Sequence, residues 1–182
     1  MTVDALTNRR GWWRRNALPL VGVAVLLPAT FGVIAWNEWN EYFSGQATQP
    51  VVAPPGGSVE FEGAVWGPAE IEVVDPGAEF EAPAGSQVVT AAVPVDPGAH
   101  AVTCHTPTLR ETTGAQREWS DATFDIGWSP APDELGSCAL TGTDPFTITV
   151  AFLVPLDATG PFAVELISPN ALPRFARLLV EP

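Results

Sequence analysis

The sequence contains no lysine, which removes the amine needed for a Schiff base or a Ser-Lys dyad. Other catalytic signatures are equally scarce. There is no G-x-S-x-G elbow, no phosphate-binding glycine loop and no H-E-x-x-H helix. His100 and His105 are the only histidines; five residues apart in an expected strand, they would face opposite sides and share no metal. Each therefore reads as an ordinary polar residue. A Ser-His-Asp triad built from distant segments would have to use one of them, and nothing marks either. No catalytic residue, metal or cofactor is assigned, and the chain is expected not to be an enzyme. Positive charge is short as well: from Ser44 onward there are 18 acidic residues against 4 arginines. So acidic a region is repelled by nucleic-acid backbones and anionic lipid surfaces, and nucleic acid is not an expected partner.

Charge is absent altogether from Ala17 to Trp36, a run of 20 residues. As a helix it spans about 30 Å, the thickness of a bilayer hydrocarbon core, so residues 17–36 are expected to cross a membrane. Arg9, Arg10, Arg14 and Arg15 precede the run and only acidic residues follow for some way. Arginines collect on the cytoplasmic side, which places residues 1–16 inside and residues 37–182 outside a cell membrane. Trp12 and Trp13 at one end, and Trp36, Trp39 and Tyr42 at the other, fit the aromatic belts of both headgroup regions. The rival is a cleaved secretory signal, for which Val33-Ile34-Ala35 offers small residues before a cut. Against it, the apolar stretch exceeds the usual signal core of about 7–15 residues. No cysteine near the end of the run allows a lipoprotein anchor. Pro28 removes one backbone donor mid-span, a kink that membrane helices tolerate well.

Residues 37–57 read as a membrane-proximal segment and spacer. Within them Ser44 to Gly57 (SGQATQPVVAPPGG) carries three prolines and no periodicity, and partly extended it would reach on the order of 40 Å. From residue 58 to 182, short apolar segments alternate with Pro/Gly turns, the pattern of an all-β sandwich. Val59, Phe61 and Val65 alternate with Glu60, Glu62 and Ala64, and Ile71 and Val73 alternate with Glu70 and Glu72, each suggesting a strand with one wet face. Further strands are expected at Val88 to Val95, at Phe146 to Val154 with Phe146, Ile148, Val150, Phe152 and Val154 on one face, at Phe162 to Ile167 and at Arg174 to Val180. Weaker segments lie near Ala101 to Thr106, Arg117 to Phe124 and Cys138 to Thr141. The load is about eight or nine strands, enough for two sheets.

Cys104 and Cys138 are the only cysteines, and an even pair in an exported domain reads as a structural disulfide. Alternation groups Cys104 with Val102 and Cys138 with Leu140, so each thiol can point inward. No C-x-x-C spacing supports the alternative of a redox pair.

The run Phe80 to Val95 (FEAPAGSQVVTAAVPV), Cys104…Arg117-Glu118-Trp119…Cys138 and the strand Phe152-Leu153-Val154-Pro155 resemble exported bacterial immunoglobulin-like domains of unknown function, found in membrane-anchored proteins and small secreted antigens of actinobacteria. The resemblance covers about residues 58–182. It implies an immunoglobulin-like antiparallel β-sandwich ectodomain behind one N-terminal transmembrane helix, and it carries over no functional site. The chain departs from an antibody-type domain: its cysteines are only 34 residues apart, and its sole tyrosine, Tyr42, lies outside the domain.

Carboxylates are the plentiful functional group. Glu60, Glu62, Glu70 and Glu72 would project from successive strands; they read either as a solvated face that discourages aggregation or as oxygens for calcium. No D-x-D-x-D-G loop is present. Trp66, Trp119 and Trp128 read as core aromatics or as a surface for carbohydrate or an apolar partner, with Trp119 expected near the bridge. Trp128, in the turn-rich Gly127-Trp128-Ser129-Pro130, is the better candidate for a binding surface. The expectation is a non-enzymatic, membrane-anchored interaction module that meets a membrane or cell-surface protein; the alternative is an ectodomain that binds a ligand or cell-wall glycan alone.

Overall fold

The computed structural model describes residues 4–74, 82–138 and 142–180, with side chains from Gly11 onward. The chain divides into two units, Met1–Ser44 and Gly45–Pro182. The first unit is a single helix, α1 (Asp4–Ser44). Leu18, Phe31 and Trp36 are among its many exposed large apolar side chains. A helix that is apolar all round suits lipid better than water. Its segment Gly11–Ser44 contains a window of mean hydropathy 2.2 with no residue buried, long and apolar enough to cross a membrane. Of the flanking aromatics, Trp12 packs edge-on against Trp13, while Phe43 touches both Trp39 and Tyr42. Arg9 and Arg10 lie on the helix, where only the backbone is described.

The helix runs past Trp36 into what the sequence reads as spacer. Asn37 to Ser44 contains neither glycine nor proline, so nothing interrupts the i to i−4 ladder before Gly45. The remainder of the expected spacer is also corrected, because Gln49–Ala53 forms a strand.

Ten strands are described: β1 (Gln49–Ala53), β2 (Val59–Phe61), β3 (Ala64–Trp66), β4 (Glu70–Val74), β5 (Ser86–Asp96), β6 (Thr108–Glu111), β7 (Glu118–Trp119), β8 (Phe146–Pro155), β9 (Phe162–Leu166) and β10 (Arg174–Leu179). One sheet has the order β1-β10-β9-β6-β7. In the other, β5 is the spine: β8 pairs one side of it from Ser86 to Val95, while β3 and β4 share its opposite side. All pairs are antiparallel except β1 with β10, which is parallel. A single core draws on both sheets, with Trp66, Val93, Ile148 and Phe152 from the second meeting Leu109, Leu166 and Leu178 from the first.

Period-2 patterning located the long strands well. β5, β8, β9 and β10 fall where alternation predicts them, and Ile148, Val150, Phe152 and Val154 all point into the core. The segment Val59 to Val65 differs. It is a hairpin, not one strand: Val59 pairs with Trp66 and Phe61 with Ala64 across a two-residue turn. Glu62 and Gly63 both have positive φ (55° and 74°), the combination of a type I′ turn. Reversal of the chain changes the parity, so Ala64 and Trp66 are buried and Val65 is exposed. Trp66 is thereby a core residue and not a surface one, and its indole N–H donates to the Phe61 carbonyl at 2.9 Å.

Other expectations are corrected too. Val73 is exposed although it lies opposite buried Val89: among the described strands β4 has β5 as its one partner and stands at the margin of the sheet, where the core covers its side chain incompletely. Ala101 to Pro107 forms no strand, and only Glu118 and Trp119 of the segment Arg117 to Phe124 do. Phe80, Glu81 and the residues after Cys138 as far as Thr141 lie outside the described residues.

The turn at Gly63 supplies a clean test of backbone chemistry. A Cβ added there meets nothing within 4 Å, so Gly63→Ala acts only through the left-handed backbone it would strain. We expect a loss of about 1–2 kcal/mol in urea denaturation. Gly136→Ala, equally open but with ordinary φ, should leave stability unchanged.

Candidate binding groove

The register of the second sheet sets out the outer face residue by residue. Glu70 lies opposite Ala92 and Ala92 opposite Thr149; one row along, Glu72 lies opposite Thr90 and Thr90 opposite Ala151. Because Ile148 and Val150 point into the core, Thr149 between them points out. The outer face therefore carries two glutamates at its edge and threonines at its middle. Glu60 falls further along the same face, opposite Val65, which is opposite Asp96. Glu62 sits in the hairpin turn.

A loop from Asp121 to Cys138 covers part of this face. Its first end is held to β8 by the bond from Ala122 N–H to the Ala151 carbonyl (2.8 Å) and by the Thr123 hydroxyl, which accepts from Ala151 N–H (2.9 Å). Its second end is held by Leu135, whose N–H donates to Thr147 and whose carbonyl accepts from Thr149 (2.9 and 2.8 Å). Between these fastenings the chain turns at Gly127, with φ of 68°, and presents Trp128.

The loop and sheet enclose a groove of about 550 Å³, lined by Glu70, Ile71, Glu72, Val74, Thr90, Ala92, Trp128, Glu134 and Thr149. That volume suits a small ligand or a few side chains. Trp128 is half-buried. Glu134 accepts from the N–H of Ala131 at 3.2 Å, which steadies its turn. The Thr149 hydroxyl is buried and has no hydrogen-bond partner, although the residue is only 6% exposed. Thr90 by contrast donates to the Glu72 carbonyl at 3.4 Å.

The charges of the domain are segregated. Arg110 and Arg177 both pair with buried Glu165, at 2.9 and 2.6 Å, and Arg110 also meets Glu118. Arg117 pairs with Glu111 at 3.1 Å and with Asp157 at 3.0 Å, and lies over the Trp119 ring. These arginines belong to the first sheet or its β6–β7 connection. Among the described residues no ion pair involves Glu70, Glu72 or Glu134.

Hydrogen bonds from Arg117 hold the Glu111 carboxyl below the ordinary glutamate range. A depressed folded-state value means that its contribution is present above the unfolded-state value and lost as pH falls through the folded one. The melting temperature of the wild type should therefore exceed that of Glu111→Gln at neutral pH. The gap should close in acid, below about pH 4.

The other sequence-predicted residues fall elsewhere. Cys104 and Cys138 form a disulfide with Cα atoms 5.6 Å apart. Trp119 is half-buried and packs edge-on to Phe162, with ring centres 6.0 Å apart. His100 and His105 are exposed and lie outside any strand, His105 donating its N–H to the Ile167 carbonyl. Among the described residues no three histidines, cysteines or carboxylates converge as a metal set. Sequence reading singled out Trp128, Glu70 and Glu72 separately; it missed Thr149 and Glu134, whose meeting with them depends on where the loop crosses. No protein-family model, curated protein or solved structure matches the chain.

Proposed function

We propose that the chain is a non-enzymatic, membrane-anchored interaction module. Its residues 1–16 lie in the cytoplasm, its helix is held in the cell membrane, and its β-rich unit, an immunoglobulin-like sandwich, binds a membrane or cell-surface protein outside. The observation that carries this reading is the pairing of a membrane-length apolar helix with a separate sheet-rich unit that bears an acidic groove. Arginines before the helix and acidic residues after it support the orientation. Two sheets sharing a core, together with a disulfide, support the sandwich. The groove offers carboxylates, hydroxyls and an indole, which suit binding by charge and shape. A second reading, a cell-wall glycan held against Trp128, is favoured by the indole alone.

The test is purification of the full-length protein from its native membrane in mild detergent at near-native level. Mass spectrometry should find one membrane protein in stoichiometric amount, lost when residues 17–36 are replaced by an unrelated apolar span. Recovery of this chain alone would overturn the subunit reading and send the β-rich unit to glycan arrays.

A further inference from the structure

We infer that the groove between β4 and the Trp128 loop receives an arginine side chain from an extended segment of the partner protein. The inference rests on the protein-binding reading above and identifies the chemistry of the segment bound. Three carboxylates, Glu70, Glu72 and Glu134, line one cavity, and no described arginine pairs with them there. Each adds negative charge to the lining without a counter-charge, and a cation entering the groove is attracted to all three. Beside them stands Trp128, whose ring face attracts a cation by its quadrupole. Thr149 also lines the cavity, its hydroxyl buried and unpaired. A buried hydroxyl without a partner is costly to leave unmade, and an incoming N–H would satisfy it.

Guanidinium fits this set better than ammonium. It is planar, stacks on an indole and directs several N–H groups in a fixed fork, whereas a lysine ammonium is a compact and strongly hydrated point charge. Ile71 and Val74 provide apolar wall for the methylene stem. The groove lies against β4, whose outer edge is unpaired among the described strands. An extended peptide can run beside such an edge while its side chain turns inward.

Calorimetric titration of the full-length protein in mild detergent tests this. The probe is a capped Gly-Ser-Arg-Ser-Gly peptide, compared with a twin in which citrulline replaces arginine. Citrulline keeps the shape and removes the charge. The arginine peptide should bind about tenfold more tightly, the ratio a single charge-assisted contact supplies. Glu70→Gln combined with Glu72→Gln should erase the preference, and Trp128→Ala should weaken binding several-fold. Glu118→Gln, an exposed carboxylate of the other sheet, should change neither peptide. Thr149→Val is the discriminating variant: it should raise the melting temperature, since an unpaired buried hydroxyl is removed, while weakening the arginine peptide. A purely structural threonine would show no change in binding.

Equal affinity for the two peptides, or a preference that survives the double glutamate variant, would overturn the assignment. So would binding of tri-N-acetylglucosamine at Trp128 without arginine preference, which would assign the groove to glycan. A native membrane partner that stays bound to the double glutamate variant would leave the interaction-module reading standing and remove the groove from it.

Discussion

A soluble fragment beginning at Ser58 will lose cooperative folding, whereas one beginning at Gly45 will unfold in a single transition. The difference is β1. Its five residues pair in parallel register with Arg174 to Leu178 of β10, and Thr48 and Gln49 both donate to the Pro173 carbonyl. Ala53 is fully buried and Val51 packs against the core. Deleting the segment uncovers the edge of β10 and opens the core beside Leu178. The packing of Val51 and Ala53, at about 0.8 kcal/mol per buried carbon, with several ladder bonds at about 1 kcal/mol each, amounts to roughly 5–8 kcal/mol. Domains of this size have only about 5–15 kcal/mol in total. Urea denaturation followed by circular dichroism is the measurement. Equal midpoints and slopes for the two fragments would show that β1 is dispensable and that the segment is a spacer after all.

Removing the disulfide should produce the second large effect. Cys104 and Cys138 close a loop of 34 residues that contains β6, β7 and the Trp128 loop, so the bridge ties the segment leading into β6 to the end of the loop that covers the groove. In the chain-entropy model such a crosslink is worth about 3–4 kcal/mol. Cys104→Ala with Cys138→Ala should lower stability by that amount, alanine being chosen so that no hydroxyl is placed where Cys138 is buried. Reduction of the wild type should shift the urea midpoint equally. Hydrogen exchange should rise first between Asp121 and Leu135, because that loop is fastened to β8 by few bonds. A reduced protein with an unchanged midpoint would mean that the unfolded chain is already compact across this span.

How far the sequence could be read depended on the kind of signal. The long strands were legible because β5 and β8 repeat an apolar residue at every second position. The hairpin at Glu62-Gly63 was not, since a lone E-G pair is a weaker turn signal than N-G or D-G, and the apolar alternation reads as continuous when the turn is overlooked. Strand β1 was hidden by Pro50 and by the prolines that follow it; a strand at the edge of a sheet accommodates Pro50, and among the described strands β1 has β10 as its one ladder partner. Alternation around Cys104 pointed to a strand, yet the bridge formed without one. A disulfide requires two Cα atoms at bonding range and places no demand on ladder pairing.

By itself the sequence determined an apolar helix of membrane length, the acidity of the region beyond it, the principal strands and the pair of cysteines available to bridge. All of these follow from composition and from periodicities that a chain carries locally. Tertiary structure alone decided that β1 closes one sheet against β10, that Trp66 faces inward, and that Arg110 and Arg177 converge on Glu165. It also decided that Glu70, Glu72, Glu134, Trp128 and Thr149 line one groove. These residues span 80 positions of sequence, and their meeting depends on strand register and on where a loop crosses a sheet, both set by long-range pairing that no local pattern encodes.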